Sequence, residues 1–282
     1  MDQEDVTIPA PSAAPSFALA LPHTPWIPER VESFARLKKH IFEPDTPSIT
    51  RVFLDREPNR VWAQKMWRWA VTTNATHLVQ IQDDVIVAPD FWGKLRAMVE
   101  TVPDQVIGLE QAHPMGPELA RHGHRWCRSR AWLVGVAWVW PLSKDLLCGL
   151  PRFLAWCDAF PEKVEAHNED DLVNVWATET GVDIWHPIPT IIDHDTDVPS
   201  TYGHEGHKNR RPTVLWHEYE SAAMATAQFW QPTTDPPLLA SPYAPACWFC
   251  LNEPGQIASG ATGARIGKRC IANVMGTMVN KL

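Results

Sequence analysis

The stretch His77-Leu78-Val79-Gln80-Ile81-Gln82-Asp83-Asp84 decides the fold. His77 to Ile81 reads as a strand that stops on two adjacent carboxylates. Upstream, Arg60 to Thr72 has helical spacing, with Trp62, Met66, Trp69 and Ala70 on related faces. Before that, Ile49 to Leu54 is a strand closed by the polar turn Asp55-Arg56-Glu57-Pro58-Asn59, and Glu29 to Ile41 is helical. Ser16 to Leu21 is an apolar strand that ends in the turn Pro22-His23-Thr24-Pro25. Downstream, Phe91 to Val102 reads as a helix and Gln105 to Leu109 as a strand. Strand and helix therefore alternate over roughly the first 110 residues, which predicts an α/β fold with a mostly parallel sheet and ligand sites at the carboxyl ends of its strands.

The remainder is less regular. Ala131 to Trp140 reads as a buried strand, Ser143 to Leu150 and Arg152 to Phe160 as helices, Asp171 to Thr180 as a helix, and Ile184 to Ile192 as extended. Residues 1–15, with Pro9, Pro11 and Pro15, read as a disordered leader, and 16–218 as the main folded domain. A linker is expected over 219–245, Pro-rich from Pro232 to Pro245, followed by a cysteine-containing tail over 246–282.

A chain of 282 residues buries a substantial core. Its 15 Trp against 3 Tyr suit either flat sugar and base sites or bulky core packing. A formal charge of −8 excludes the global basic footprint of many nucleic-acid binders, leaving room for a local patch. Six cysteines without a secretory leader point to a reducing compartment. The acidic start Met1-Asp2-Gln3-Glu4-Asp5 does not suit a signal peptide, and the longest apolar run, Ala131 to Leu142, is too short for a bilayer. The expectation is a cytoplasmic protein that does not enter a membrane.

Asp83 and Asp84 stand where a cation-bound phosphate would lie at the sheet's carboxyl edge, and a hard cation takes one or two carboxylates plus phosphate oxygens. A solvated acidic turn would look the same. A second acidic cluster, Asn168-Glu169-Asp170-Asp171, opens a helix, where the helix dipole alone favours carboxylates. The spacing after it says more: Gly181 follows Asp170 by eleven residues, then come Pro187 and Pro189, and His194 lies thirteen residues after the glycine.

The run from Glu169-Asp170-Asp171-Leu172 through Gly181 to Ile191-Ile192-Asp193-His194 resembles the second half of the family 2 glycosyltransferases and their GT-A relatives. The likeness covers about residues 17 to 200. It implies a GT-A (Rossmann-like) fold and a nucleotide-sugar donor. It also implies a Mn²⁺ or Mg²⁺ ion held by Asp84 and His194, and a catalytic base at Asp170, with Glu169 beside it and Asp171 as a rival. By the same likeness Asp55 and the Pro22-His23-Thr24 turn contact the nucleotide, and Asp83 shares the metal or nucleotide role. The sequence departs from the family where its acid-x-acid signature begins with Gln82, and where Leu172 replaces an acidic residue two positions after the base. Transfer would invert the anomeric carbon in a single displacement. Gly135-Val136-Ala137-Trp138-Val139-Trp140 resembles the family's strand beneath sugar and acceptor, so Trp138 or Trp140 either stacks on the acceptor or packs the core.

Lys208, Arg210 and Arg211 sit in a glycine-broken basic loop that suits closure over a diphosphate, contact with a nucleic-acid backbone, or plain solvation. His204 and His207 lack further ligands for a metal site. Cys247, Cys250 and Cys270 have spacing that suits a structural zinc lacking its fourth ligand, or are free thiols. Their segment resembles small cysteine-bearing modules attached to bacteriophage proteins. That likeness implies an acceptor in phage DNA, a hydroxymethylated pyrimidine, modified in the host cytoplasm. A glycan or lipid-linked acceptor is the alternative. Non-catalytic readings are a nucleotide-sugar binding module and a zinc-dependent nucleic-acid binder built on the tail.

Overall fold

Leu19 and Leu21 point to one side of their strand and Ala20 to the other, and this alternation separates two hydrophobic layers about one sheet. The computed structural model describes residues 14–42, 46–54, 59–110, 115–130, 137–195, 197–199, 214–239, 255–257 and 265–267. In chain order the first half holds β1 (Phe17–His23), α1 (Pro28–Ile41), β2 (Ile49–Leu54), α2 (Asn59–Ala70), β3 (His77–Ile81), β4 (Val85–Val87), α3 (Phe91–Thr101) and β5 (Val106–Gly108). The second half holds α4 (Gly116–Arg121), β6 (Trp126–Ser129), β7 (Ala137–Pro141), α5 (Leu150–Ala159), α6 (Pro161–Ala166), α7 (Glu169–Thr180), β8 (Ile184–Pro187) and β9 (Ile192–His194). After these come α8 (Ser221–Met224), α9 (Ala227–Trp230), β10 (Leu238–Leu239), β11 (Gly255–Ile257) and β12 (Arg265–Gly267).

Eight strands form the central sheet in the order β10-β6-β8-β5-β7-β3-β1-β2. The pairs β1–β2, β1–β3, β5–β8 and β10–β6 are parallel, whereas β7 runs antiparallel to both β3 and β5, and β6 antiparallel to β8. The fold is α/β, with a mostly parallel sheet flanked by helices and compatible with a Rossmann-like arrangement. Phe34, Leu37 and Ile41 of α1 pack with α3 over Leu19, Leu21, Val79 and Ile81. Trp62, Met66 and Trp67 of α2 pack with α5 and α7 over Ala20, Leu78, Trp138 and Trp140 on the other face.

The position of the site follows from this topology. From β1 the chain crosses through α1 to β2 on one side, then through α2 to β3 on the other. Right-handed crossovers in opposite directions put the two helices on opposite faces and open a crevice at the carboxyl ends of β1 and β3.

Several elements differ from those the sequence predicts. Ser143 to Leu150 is a series of turns, and the helix starts only at Leu150, where Gly149 is extended and Pro151 occupies the first turn. Ile184 to Ile192 is divided around Pro189: β8 joins the central sheet, while β9 leaves it to pair with β4. Residues 219–239 are not a free linker. They contain α8, α9 and β10, with Met224 and Trp230 fully buried against the layer of α1 and α3. Four-residue helices are too short to show a periodicity, so composition alone suggested a tether. Residues 1–13 and most of 240–282 lie outside the described residues. Among those described, no helix is long and apolar enough to cross a membrane.

Candidate active site

The acidic turn is built by two strands that leave it in different directions. β3 delivers Gln82-Asp83-Asp84 to the sheet edge, and β4 then pairs antiparallel with β9 in the register Val85↔His194 and Ile86↔Asp193. A bond from the Asp195 amide to the Asp84 carbonyl (2.7 Å) extends the pairing by one residue. This register brings His194 Nε2 to 3.2 Å from Asp84 Oδ2, with both side chains at most 2% exposed. Two groups 110 residues apart in the chain thus meet at one rim of the sheet.

Asp83 faces the other way and is saturated by protein. Its Oδ2 accepts from the Thr24 amide (2.7 Å) and lies 2.9 Å from His23 Nδ1, while its Oδ1 accepts from the Arg30 guanidinium. His23 and Thr24 are themselves buried, as is Pro22, which pairs with Phe53 in the sheet. The Pro22-His23-Thr24 turn and Asp83 are therefore one hydrogen-bonded unit. Arg30 also reaches Asp84 Oδ2 (2.8 Å) and the Pro199 carbonyl (3.3 Å). One buried cation thereby joins the acidic turn to the chain leaving β9. A second tie runs from the same helix: Asp195 accepts from Ser33 Oγ (3.1 Å) and from Arg36.

At the start of α7, Glu169 is fully buried and accepts from Gln80 Nε2, and Gln80 in turn accepts from Trp67 Nε1 (3.1 Å). Glu169 is thus tied into the core beneath the helix start. Asp170 and Asp171 are half-buried. The charge of Asp170 is among those that raise Glu110, with Asp84 and Asp193, while His194 opposes them.

Glu110 lies just beyond β5, fully buried, with neither carboxylate oxygen hydrogen-bonded. Its backbone is fixed from behind. His186 Nδ1 lies 3.0 Å from the Glu110 carbonyl, which can only accept, so Nδ1 donates to it, and Nε2 lies 2.9 Å from Ser129 Oγ. The imidazole fits because residue 108 is glycine; a Cβ there would meet the ring at 2.7 Å.

The electrostatics follow from burial and from these pairs. Burial pushes the Asp84 carboxyl up, but the hydrogen bond and charge of His194, with the charge of Arg30, outweigh it and hold Asp84 below the ordinary carboxylate range. Burial pushes His194 down, and Asp84, with a further contribution from Glu110, more than offsets that. Burial pushes Glu110 up to about 8; His194 opposes the shift, and Asp84, Asp193 and Asp170 add to it.

Asp84 and His194 fit a divalent cation as a partial donor set. Asp84 Oδ1 is buried without a hydrogen-bond partner, and the imidazole lies beside Oδ2. Among the described residues no three His, Cys, Asp or Glu side chains form a complete cation cluster. The remaining ligands of such an ion would come from phosphate oxygens and water, as is usual for Mg²⁺.

Trp138 and Trp140 do not line the site. They are 1% and 0% exposed in the layer of α2, α5 and α7, with Trp140 against Phe153 (5.1 Å) and Trp176 (5.6 Å). They pack the core rather than meet an acceptor. Asp55, Lys208, Arg210, Arg211, Cys247, Cys250 and Cys270 lie outside the described residues.

The sequence reading missed Arg30 and Glu110, although each left a signal. Arg30 shares the helical stripe of Phe34, Leu37 and Ile41, a charge in register with core positions. Glu110 follows a strand that stops at the carboxyl edge, as Asp84 does. No protein-family model matches this chain, and no curated protein sequence matches it.

Proposed function

We propose that this chain transfers a sugar from a nucleoside diphosphate to an acceptor hydroxyl. The observation that carries the reading is the meeting of Asp84 and His194 at the crevice between β1 and β3, with the charge of Asp170 felt in the same buried cluster. The α/β fold supports it only as analogy, since one fold hosts many chemistries. Asp170, half-buried at a helix start, is the base: it takes the acceptor proton as the acceptor oxygen bonds to the anomeric carbon. The bond from that carbon to the diphosphate breaks, and its electron pair leaves with the phosphate. Arg30 holds the acidic turn and the chain after β9 in one geometry. A Mn²⁺ or Mg²⁺ ion held by Asp84 and His194 would neutralise the charge that grows on the leaving group.

The test is turnover of a panel of nucleoside diphosphate sugars with Mn²⁺, beside binding of the same donors. Asp170→Asn lowers transfer by about a hundredfold or more while donor affinity stays within about twofold. Asp84→Asn weakens donor binding as well. Full turnover by Asp170→Asn, or no turnover of any donor by the unaltered chain, refutes the reading. The proposed acceptor, a hydroxymethylated pyrimidine in DNA, rests on the basic loop 204–211 and the cysteine tail. Mass analysis of modified DNA after incubation, against a glycan acceptor, tests it.

A further inference from the structure

Glu110 is an acid of this cluster that the mechanism above leaves unused, and its condition is unusual. The carboxyl is fully buried, and neither oxygen has a hydrogen-bond partner. Leaving a buried polar group unpaired costs about 1–3 kcal/mol, and native chains keep such groups where a ligand, water or ion completes them. Nor is Glu110 loosely placed. His186 and Ser129 fix its backbone from behind, while the groups whose charge it feels are Asp84, His194, Asp193 and Asp170. It therefore belongs to the same electrostatic cluster as the proposed reacting groups, fully buried and with neither oxygen hydrogen-bonded.

We propose that Glu110 binds hydroxyl groups of the transferred sugar, so that its carboxyl distinguishes a sugar-bearing nucleotide from the bare nucleoside diphosphate; this rests on the glycosyltransferase reading above. Two observations favour a hydroxyl over a cation as its ligand. Among the described residues Glu110 does not close a three-donor cation cluster with Asp84 and His194. Its two unpaired oxygens are also hydrogen-bond acceptors in either protonation state, which suits the O–H groups of a sugar. Because its exposure is zero, a sugar reaches Glu110 only if its cover yields, and a sugar-specific loss on removing the carboxyl is the sign that it does.

The experiment is calorimetric titration of the full chain, with Mn²⁺ present. The probes are uridine, guanosine and thymidine diphosphate sugars and the same three nucleoside diphosphates without sugar. Glu110→Leu weakens the best sugar nucleotide by about tenfold or more and changes its bare nucleoside diphosphate by less than about twofold. Glu110→Gln, which keeps one acceptor oxygen in nearly the same shape, recovers most of the loss. If Glu110→Leu does not fold, Glu110→Asp, which draws the carboxyl back by a methylene, replaces it with the same expected split. Equal losses for both ligands would assign Glu110 to the cation or the diphosphate and overturn the proposal. No loss for either would make it a structural residue and overturn it too. If the unaltered chain binds no sugar nucleotide, the glycosyltransferase reading itself fails and takes this inference with it, whereas normal sugar-nucleotide binding by Glu110→Leu removes the inference alone.

Discussion

Burial, with the charges of three nearby carboxylates, outweighs His194 and pushes the Glu110 carboxyl up to about 8, and in the metal-free chain this has a consequence for stability. In the unfolded chain the group ionises near 4.5, and in the folded chain near 8. Between those values the folded state binds the extra proton, so its contribution to stability is fully present below the lower value and is lost as pH rises through the upper one. Glu110→Gln has no proton to lose. Thermal melts from pH 5 to pH 9 should therefore show the variant gaining on the unaltered protein as pH rises, by an amount on the order of a few kcal/mol at pH 9. A gap that stays constant across the range would mean that Glu110 is not held protonated. At this scale the sequence was legible for Asp84 and His194, because a carboxylate ending a strand and a histidine at a fixed distance from a helix-ending glycine are local patterns. For Arg30 the stripe it shares with Phe34, Leu37 and Ile41 marks a core-facing position, but not the carboxylates of Asp83 and Asp84 that it meets there, which lie more than fifty residues away in the chain.

Elements explain why distant residues meet, and here the reading was uneven. β1, β2 and β3 and the two helices between them announced themselves through alternation of strand and helix. β4 is three residues long and carries no period, yet its pairing with β9 is what sets His194 beside Asp84. Helix α7 was better marked, because its end is a backbone requirement: Gly181 caps it with φ of +74°, a left-handed conformation that costs a residue with a Cβ. An added Cβ would meet nothing within 4 Å, so the penalty of Gly181→Ala is conformational alone. The variant should lose about 1 kcal/mol in urea denaturation. Its turnover should be preserved, because Asp170 sits at the opposite end of a helix roughly 16 Å long. A loss of activity without a loss of stability would show that the end of α7 does more than terminate it.

Across the whole molecule, the sequence divides too early. Pro-rich composition after residue 218 suggested a tether, whereas α8 and α9 close the layer that α1 and α3 begin. Trp230 is fully buried, donates from Nε1 to the Met224 carbonyl (2.7 Å), and accepts at its own carbonyl from Trp126 Nε1 (2.6 Å). Beyond it, β10 adds a strand beside β6. A segment that both fills the core and extends the sheet unfolds with the rest of the domain. Trp230→Ala should cost about 3–5 kcal/mol, a large part of the roughly 5–15 kcal/mol that holds a typical domain together. For a domain of this size that lowers the melting temperature by roughly 10 °C or more. Near- and far-ultraviolet circular dichroism should report one shared transition. A melt indistinguishable from that of the unaltered chain would return 219–239 to the role of a tether and leave the layer of α1 and α3 to be closed by something else.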